Sequence, residues 1–298
     1  MHKLFPDRLA LAAGLAALIA LPAHAADISA QELRGGVFLF QGAGANVVAM
    51  ADGADLLVVD GGLEENSADL YAAIQAATGG ERIAALVNTH WHPEQVGLND
   101  EAARDGAAIV AHEVTRMYLA NTVTSPLFEG QFGPLDASAQ PNAAGRSGGD
   151  LAFAGRTVEY GYLPAAHTDG DLYVFFPEQN VLVAGGAVGS DAWPLLDYWN
   201  GGLIGGLVRA HETLAARVSD DTIVVPAHGP VMTGAELKAQ VGMYQQLFRD
   251  LNYLMNHGMG YNDVVALNPL QGREAVFGDP SRFLDGAYRS KQMAYVPD

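Results

Sequence analysis

No cysteine occurs in the 298 residues. Its absence excludes disulfides, thiolate nucleophiles and thiolate metal ligands, and it suits an oxidising compartment where a free thiol is a liability. Basic residues are scarce as well: 16 Lys and Arg stand against 34 Asp and Glu, a formal charge of −18. A surface that acidic repels phosphate backbones and anionic lipid headgroups, so nucleic acid is not an expected partner. There is no Gly-x-x-x-x-Gly-Lys phosphate loop and no Gly-x-Ser-x-Gly elbow, which leaves nucleotide hydrolysis and serine-esterase chemistry without support. Past residue 25 no apolar run is long enough to span a bilayer. The expected partner is a small-molecule substrate, and the oligomeric state stays open.

The first 25 residues read as a secretory signal. Lys3 and Arg8 form a short basic start, Leu9 to Leu21 an apolar stretch, and Ala23-His24-Ala25 an A-x-A cleavage motif. The alternative is an uncleaved anchor, against which the well-placed small residues argue. Cleavage implies a periplasmic or secreted product, with no stable membrane insertion. Residues 26–298 suffice for one domain with a sizeable core.

Gly and Asp punctuate the apolar runs 36–41, 46–51 and 55–60, the pattern of a β-meander. A helix is expected over 66–78, then a buried strand over 83–87, a short strand over 107–111 and a helix from about 113 to 121. Residues 122–150 are rich in Gly, Pro, Ser and Asn, which fits either a flap over a site or a disordered insertion. Strands over 151–154, 157–163, 172–177 and 181–184 follow. A helix over 203–218 leads to a strand ending at Val225, and 234–298 is largely helical. Strands followed by a helix thus occur once in each half. Two mixed sheets packed face to face with helices outside, an α/β class, would bury both apolar sets.

Three histidines carry the chemical signal. His90 and His92, in Thr-His-Trp-His-Pro-Glu-Gln, follow the strand over 83–87. Residues two apart at an extended strand end face one way. His167, in Ala-His-Thr-Asp-Gly-Asp, lies just past the strand over 157–163. Together they suggest the facial three-histidine arrangement by which zinc enzymes keep one coordination position open. His228 ends the strand before it, so all four fall at strand-to-loop junctions.

In order along the chain come Val58-Val59-Asp60-Gly61-Gly62, Asn88-Thr89-His90-Trp91-His92, Ala166-His167-Thr168-Asp169-Gly170-Asp171, Val181-Leu182-Val183-Ala184-Gly185-Gly186 and Val225-Pro226-Ala227-His228-Gly229-Pro230. This series resembles the metallo-β-lactamase superfamily over nearly the whole mature chain, and implies its αββα sandwich. The resemblance assigns His90, His92 and His167 to a first metal site. It also exposes losses at the second. Glu94 stands in the acidic position, Gln95 replaces a histidine, Gly186 replaces the bridging aspartate, and His228 alone is a good ligand there.

At most one tightly held zinc is therefore expected. The implied activity is hydrolysis of a small ester, lactone, lactam or thioester at a mononuclear site. The alternative is a non-catalytic metal- or ligand-binding protein of the same fold. Glu94 is the candidate proton acceptor or water orienter. His228 is either a partner for substrate or leaving group, or a weak ligand. Asp60 is either an orienter of a histidine or a turn former, and Asp169 and Asp171 shape the loop around His167. Trp91 is expected in the core, Trp193 and Trp199 in loop packing or a substrate wall, and His112, His211 and His257 in structural roles.

Overall fold

Apolar runs without alternation, such as Leu56-Leu57-Val58-Val59, mark strands covered on both faces, and the fold is built from them. The computed structural model describes residues 26–126 and 130–294. The expected signal segment and its cleavage motif lie outside the described residues.

The first half runs β1 (Ser29–Arg34), β2 (Val37–Gln41), β3 (Val47–Asp52), β4 (Asp55–Val59), α1 (Ser67–Thr78), β5 (Arg82–Val87), α2 (Asn99–Arg104), β6 (Ala108–His112), α3 (Glu113–Leu119) and β7 (Ala143–Gly145). Its strands form a seven-stranded sheet in sequential order, antiparallel from β1 to β4 and parallel from β4 to β7. The second half contributes β8 (Gly149–Phe153), β9 (Arg156–Leu163), β10 (Asp171–Phe176), β11 (Val181–Gly185), α4 (Ile204–Arg217), β12 (Ile223–Pro226), β13 (Met232–Thr233), α5 (Gly234–Asn256), α6 (Tyr261–Leu267), α7 (Glu274–Phe277) and α8 (Ser281–Ala294). These six strands make a second sheet, ordered β13-β12-β11-β10-β9-β8.

The strand residues divide by parity among three cores. Leu57 and Val59 of β4 meet Val174, Phe176, Val181 and Val183 between the sheets. Leu56 and Val58 turn outward onto Leu70 and Ile74 of α1. On the far side Leu182 and Ala184 of β11 pack under Leu207, Leu214, Leu237 and Tyr244 of α4 and α5. The result is the αββα sandwich: two mixed sheets, face to face, helices outside. No helix of the described residues is long and apolar enough to cross a membrane.

α5 starts at a capping box in which Thr233 Oγ1 accepts from Glu236 N and the Glu236 carboxylate accepts from Thr233 N, satisfying two otherwise orphaned donors. β1, β7 and β13 went unseen in the sequence because short or polar edge strands such as Ser29–Arg34 carry little apolar pattern. The segment 122–150 contains β7, and Val123 pairs with Phe132. Phe132 and Leu135 pack on Trp91, Val96 and Leu119. The described part of this segment covers the outer side of Trp91, and none of its described residues lines the cavity at the histidines.

Candidate metal centre

β5 stops at Val87, and the histidines follow on an irregular turn instead of an extended strand end. The Asn88 side chain fixes this turn, donating to Gln95 O at 3.2 Å and Asn99 Oδ1 at 2.9 Å. His92 precedes a 3-10 turn over Pro93–Gln95, whose first residue has its φ preset by the proline ring. The expected two-apart alternation therefore does not orient the pair. His90 and His92 reach one point through different ring nitrogens. His167 arrives from the loop between β9 and β10. That loop is pinned by Asp171, whose carboxylate accepts from His167 N at 2.6 Å and Thr168 N at 2.8 Å.

His167 Nε2 lies 3.2 Å from His90 Nε2 and 3.1 Å from His92 Nδ1. The ring planes cross at 77°, 84° and 81°, so three edges converge. The outer nitrogens decide where the protons sit. Thr89 Oγ1 donates to Asp60 Oδ2 at 2.9 Å, so the 3.1 Å contact with His90 Nδ1 must be donated by the imidazole. His92 Nε2 donates to Asp197 Oδ2 at 3.0 Å. His167 Nδ1 donates to the Leu195 carbonyl. With those three N–H groups turned outward, three lone pairs point at one another.

Lone pairs so placed repel unless a cation lies between them. A tetrahedral ion with nitrogen ligands at about 2.0–2.1 Å sets its donors about 3.3 Å apart, close to the observed separations. Burial, then the neighbouring imidazoles, pushes His90 well below the usual histidine range, and His167 to about 3. Both are therefore neutral, as ligands must be.

The surroundings are rich in carboxyl groups. Asp60, Asp171 and Asp197 are buried, and among the described residues no Lys or Arg forms an ion pair with them. Burial pushes Asp60 up to about 8 and Asp171 up to about 7, with the hydrogen bonds from Thr89 and Thr168 working in the opposite direction. A cation at the histidines would favour their ionised forms. Asp60 also has φ 64°, a left-handed turn that an aspartate tolerates. It turns the chain before Gly61 and, through Thr89, orients His90.

Glu94 stands at the cavity, its Oε1 3.9 Å from His92 Nδ1 and 3.6 Å from His228 Nε2. Burial alone would raise its pKa, but the opposing contacts, the hydrogen bond with His228 foremost, outweigh that and hold it at about 2. His228 does not join the cluster of converging donors. Its side chain is 60% exposed beyond Glu94, because it follows the end of β12 on the far side of the opening.

The second-site positions do not fit a metal. Gln95 is fully buried and does not line the cavity. Gly186 is occupied by its neighbour: a Cβ there would lie 2.3 Å from His167 Cδ2 and 2.6 Å from Nε2. The backbone has closed on the ligand ring, so a side chain at 186 is sterically excluded as well as missing.

Asp197 and the Leu195 carbonyl were not singled out from the sequence as site groups. An aspartate within Trp-Pro-Leu-Leu-Asp-Tyr-Trp was the available signal, since a charged group in so apolar a loop needs a partner. Other expected structural histidines have local bonds. His112 caps α3 by accepting from Val114 N, His211 contacts Leu207 O and Gln240 Oε1, and His257 contacts Tyr253 O.

A four-layer sandwich with a buried three-histidine centre at its strand ends defines a class of metal-binding hydrolase folds. The family model described as the metallo-β-lactamase superfamily matches residues 41–228, and the chain belongs to that superfamily. Among solved structures it is similar to a metallo-β-lactamase from Pontibacter korlensis, with 19% identity and TM-score 0.60 over 74% of this chain and 99% of that one. It is also similar to the DIM-1 metallo-β-lactamase, with 20% identity and TM-score 0.58 over 73% and 97%. At these identities the likeness speaks for the fold.

Proposed function

We propose that the protein is an exported hydrolase using a single zinc ion held by His90, His92 and His167, and that it cleaves a small ester, lactone, lactam or thioester. The observation that carries this reading is the convergence of three outward-tautomerised imidazoles on one point beside the Glu94 carboxylate. When bound, such an ion supplies Lewis acidity toward water and carbonyl groups.

The chain's own groups divide the remaining work. Asp197, Leu195 and Thr89 hold the imidazoles in register, so that all three would present their inner nitrogens to one ion. Glu94, ionised and at the cavity wall, accepts the proton as water adds to the carbonyl carbon, and returns it to the leaving oxygen, nitrogen or sulfur. His228, beside Glu94 and open to solvent, contacts the substrate or its leaving group. The acidic surface disfavours polyanionic substrates, and the N-terminal Leu9–Leu21 stretch with Ala23-His24-Ala25 supports export.

One observation favours a second reading. Closure of Gly186 onto His167 removes the position from which a second ion would be held, as expected also of a non-catalytic descendant that keeps a metal for structure or ligand binding. A panel of esters, lactones, thioesters and β-lactams separates the two. Metal-dependent turnover lost in a folded His92→Ala variant supports the hydrolase. No turnover across the panel, with a ligand-induced rise in thermal midpoint, supports the binding protein.

A further inference from the structure

The cavity over the histidines has a volume of about 70 Å³. That admits a reacting group but not a whole substrate, because sites for drug-sized ligands run to about 300–1,000 Å³. The segment Ala192–Leu195 borders this cavity and also borders a groove of about 640 Å³ against α8. One loop therefore does three things: it walls the groove, gives His167 the Leu195 carbonyl and gives His92 the Asp197 carboxylate.

The groove is built of rigid rings. Trp193 stacks on Phe283 at 5.2 Å and leans on Phe277 at 4.6 Å, while its Nε1 donates to Gly278 O at 3.1 Å. Trp199 leaves an indole at the groove with 54% of its surface exposed. The charges on the rim are not equivalent. Arg289 is paired, its Nε donating to both carboxylate oxygens of Asp285 at 2.8 and 2.9 Å. Asp279 accepts from Ser281 N and Oγ at the start of α8. Arg282 lines the groove with no ion pair or hydrogen bond among the described residues. In a chain of charge −18, an uncommitted guanidinium beside exposed aromatic surface matches a ligand that is aromatic and carries a carboxylate.

We propose that this groove binds the aromatic portion of the substrate, with Arg282 pairing to a carboxylate on it, while the scissile group reaches the histidines past Leu195. The word substrate rests on the hydrolase reading above; the binding site does not. α8 lies beyond the stretch matched by the family model, so one wall of the groove comes from this chain's helical C-terminal part and the other from the loop over 192–199.

The test is equilibrium binding of 4-phenylbutanoate and its neutral counterpart 4-phenylbutan-1-ol to the full chain, followed by tryptophan fluorescence. Saturable binding of both is expected. Arg282→Gln should weaken the acid about tenfold, the worth of one charge-assisted contact, and leave the alcohol unmoved. Gly286 lines the groove, and a Cβ there meets Leu196 only at an ordinary 3.5 Å. In protein that circular dichroism shows to be folded, Gly286→Leu should weaken both probes at least tenfold. No saturable binding of either probe, or equal losses for acid and alcohol in Arg282→Gln, overturns the proposal. Turnover in the hydrolase panel without probe binding removes the groove and keeps the hydrolase. Binding without turnover keeps the groove and counts against the hydrolase.

Discussion

His92 and Asp197 are 105 residues apart in the chain and joined by a 3.0 Å contact between Nε2 and Oδ2, with both side chains almost wholly buried. Asp197 is itself fixed, accepting from the Asn200 amide at 3.0 and 2.8 Å. This carboxylate keeps the proton on Nε2 and leaves Nδ1 free for a metal. Asp197→Ala should therefore lower zinc affinity by about 10–100-fold, the usual effect of losing a ligand's supporting partner. Competition titration against a chromogenic chelator measures it. Affinity unchanged within twofold would mean that the contact does not orient His92.

Gly186 tests the steric part of the account. A Cβ there would sit 2.3 Å from the His167 ring, so Gly186→Ala should push that imidazole off the common point and drop bound zinc well below one equivalent. Gly242, on α5, has nothing within 4 Å of a Cβ. Gly242→Ala serves as the control and should keep its metal, with stability raised by up to about 1 kcal/mol from helix propensity. Elemental analysis of both variants after dialysis reads the difference.

The legible part of the site was the ligand set. His90, His92 and His167 each follow a strand dense enough in apolar residues to be placed by eye, and punctuation marks the strand ends. Their orientation was not legible, because it depends on the Asn88-anchored turn and on tautomers set by Thr89, Leu195 and Asp197. Asp197 sits in a loop with no periodicity, so nothing local ties it to His92. Gly186 read as a missing ligand, whereas the structure adds that the His167 ring fills the space. The layers of the fold were legible from continuous runs such as Leu56–Val59 and Val181–Ala184. The edge strands β1, β7 and β13 were not, since edges carry polar or small residues whose pattern matches that of loops.

Glu94 should be separable from the ligands. Glu94→Gln keeps size and removes the proton acceptor, so kcat on a responsive ester or lactone should fall by about 10²–10⁴-fold, the range for loss of a general base. Zinc content should be retained, because Glu94 Oε1 is 3.9 Å from His92 Nδ1 and outside the converging donor set. Loss of metal together with activity would make Glu94 a ligand instead.

Metal and fold should be linked. Three imidazoles whose ring nitrogens face one another, with the buried carboxyl groups of Asp60, Asp171 and Asp197 around them, are unfavourable without a cation. Stripping the metal should lower the thermal midpoint, and restoring zinc at about 100 times its dissociation constant should return about 2.7 kcal/mol. Differential scanning calorimetry of the stripped and reloaded protein reads this. Identical midpoints would show that the histidines do not bind the ion in the folded state.

The most direct measurement is the zinc content of protein purified without chelator and dialysed exhaustively, determined beside His92→Ala and His167→Ala. One equivalent per chain in the native protein, and near zero in both variants, is the predicted result. Two equivalents in the native protein, or one equivalent surviving in either variant, would contradict a single ion gripped by these three imidazoles.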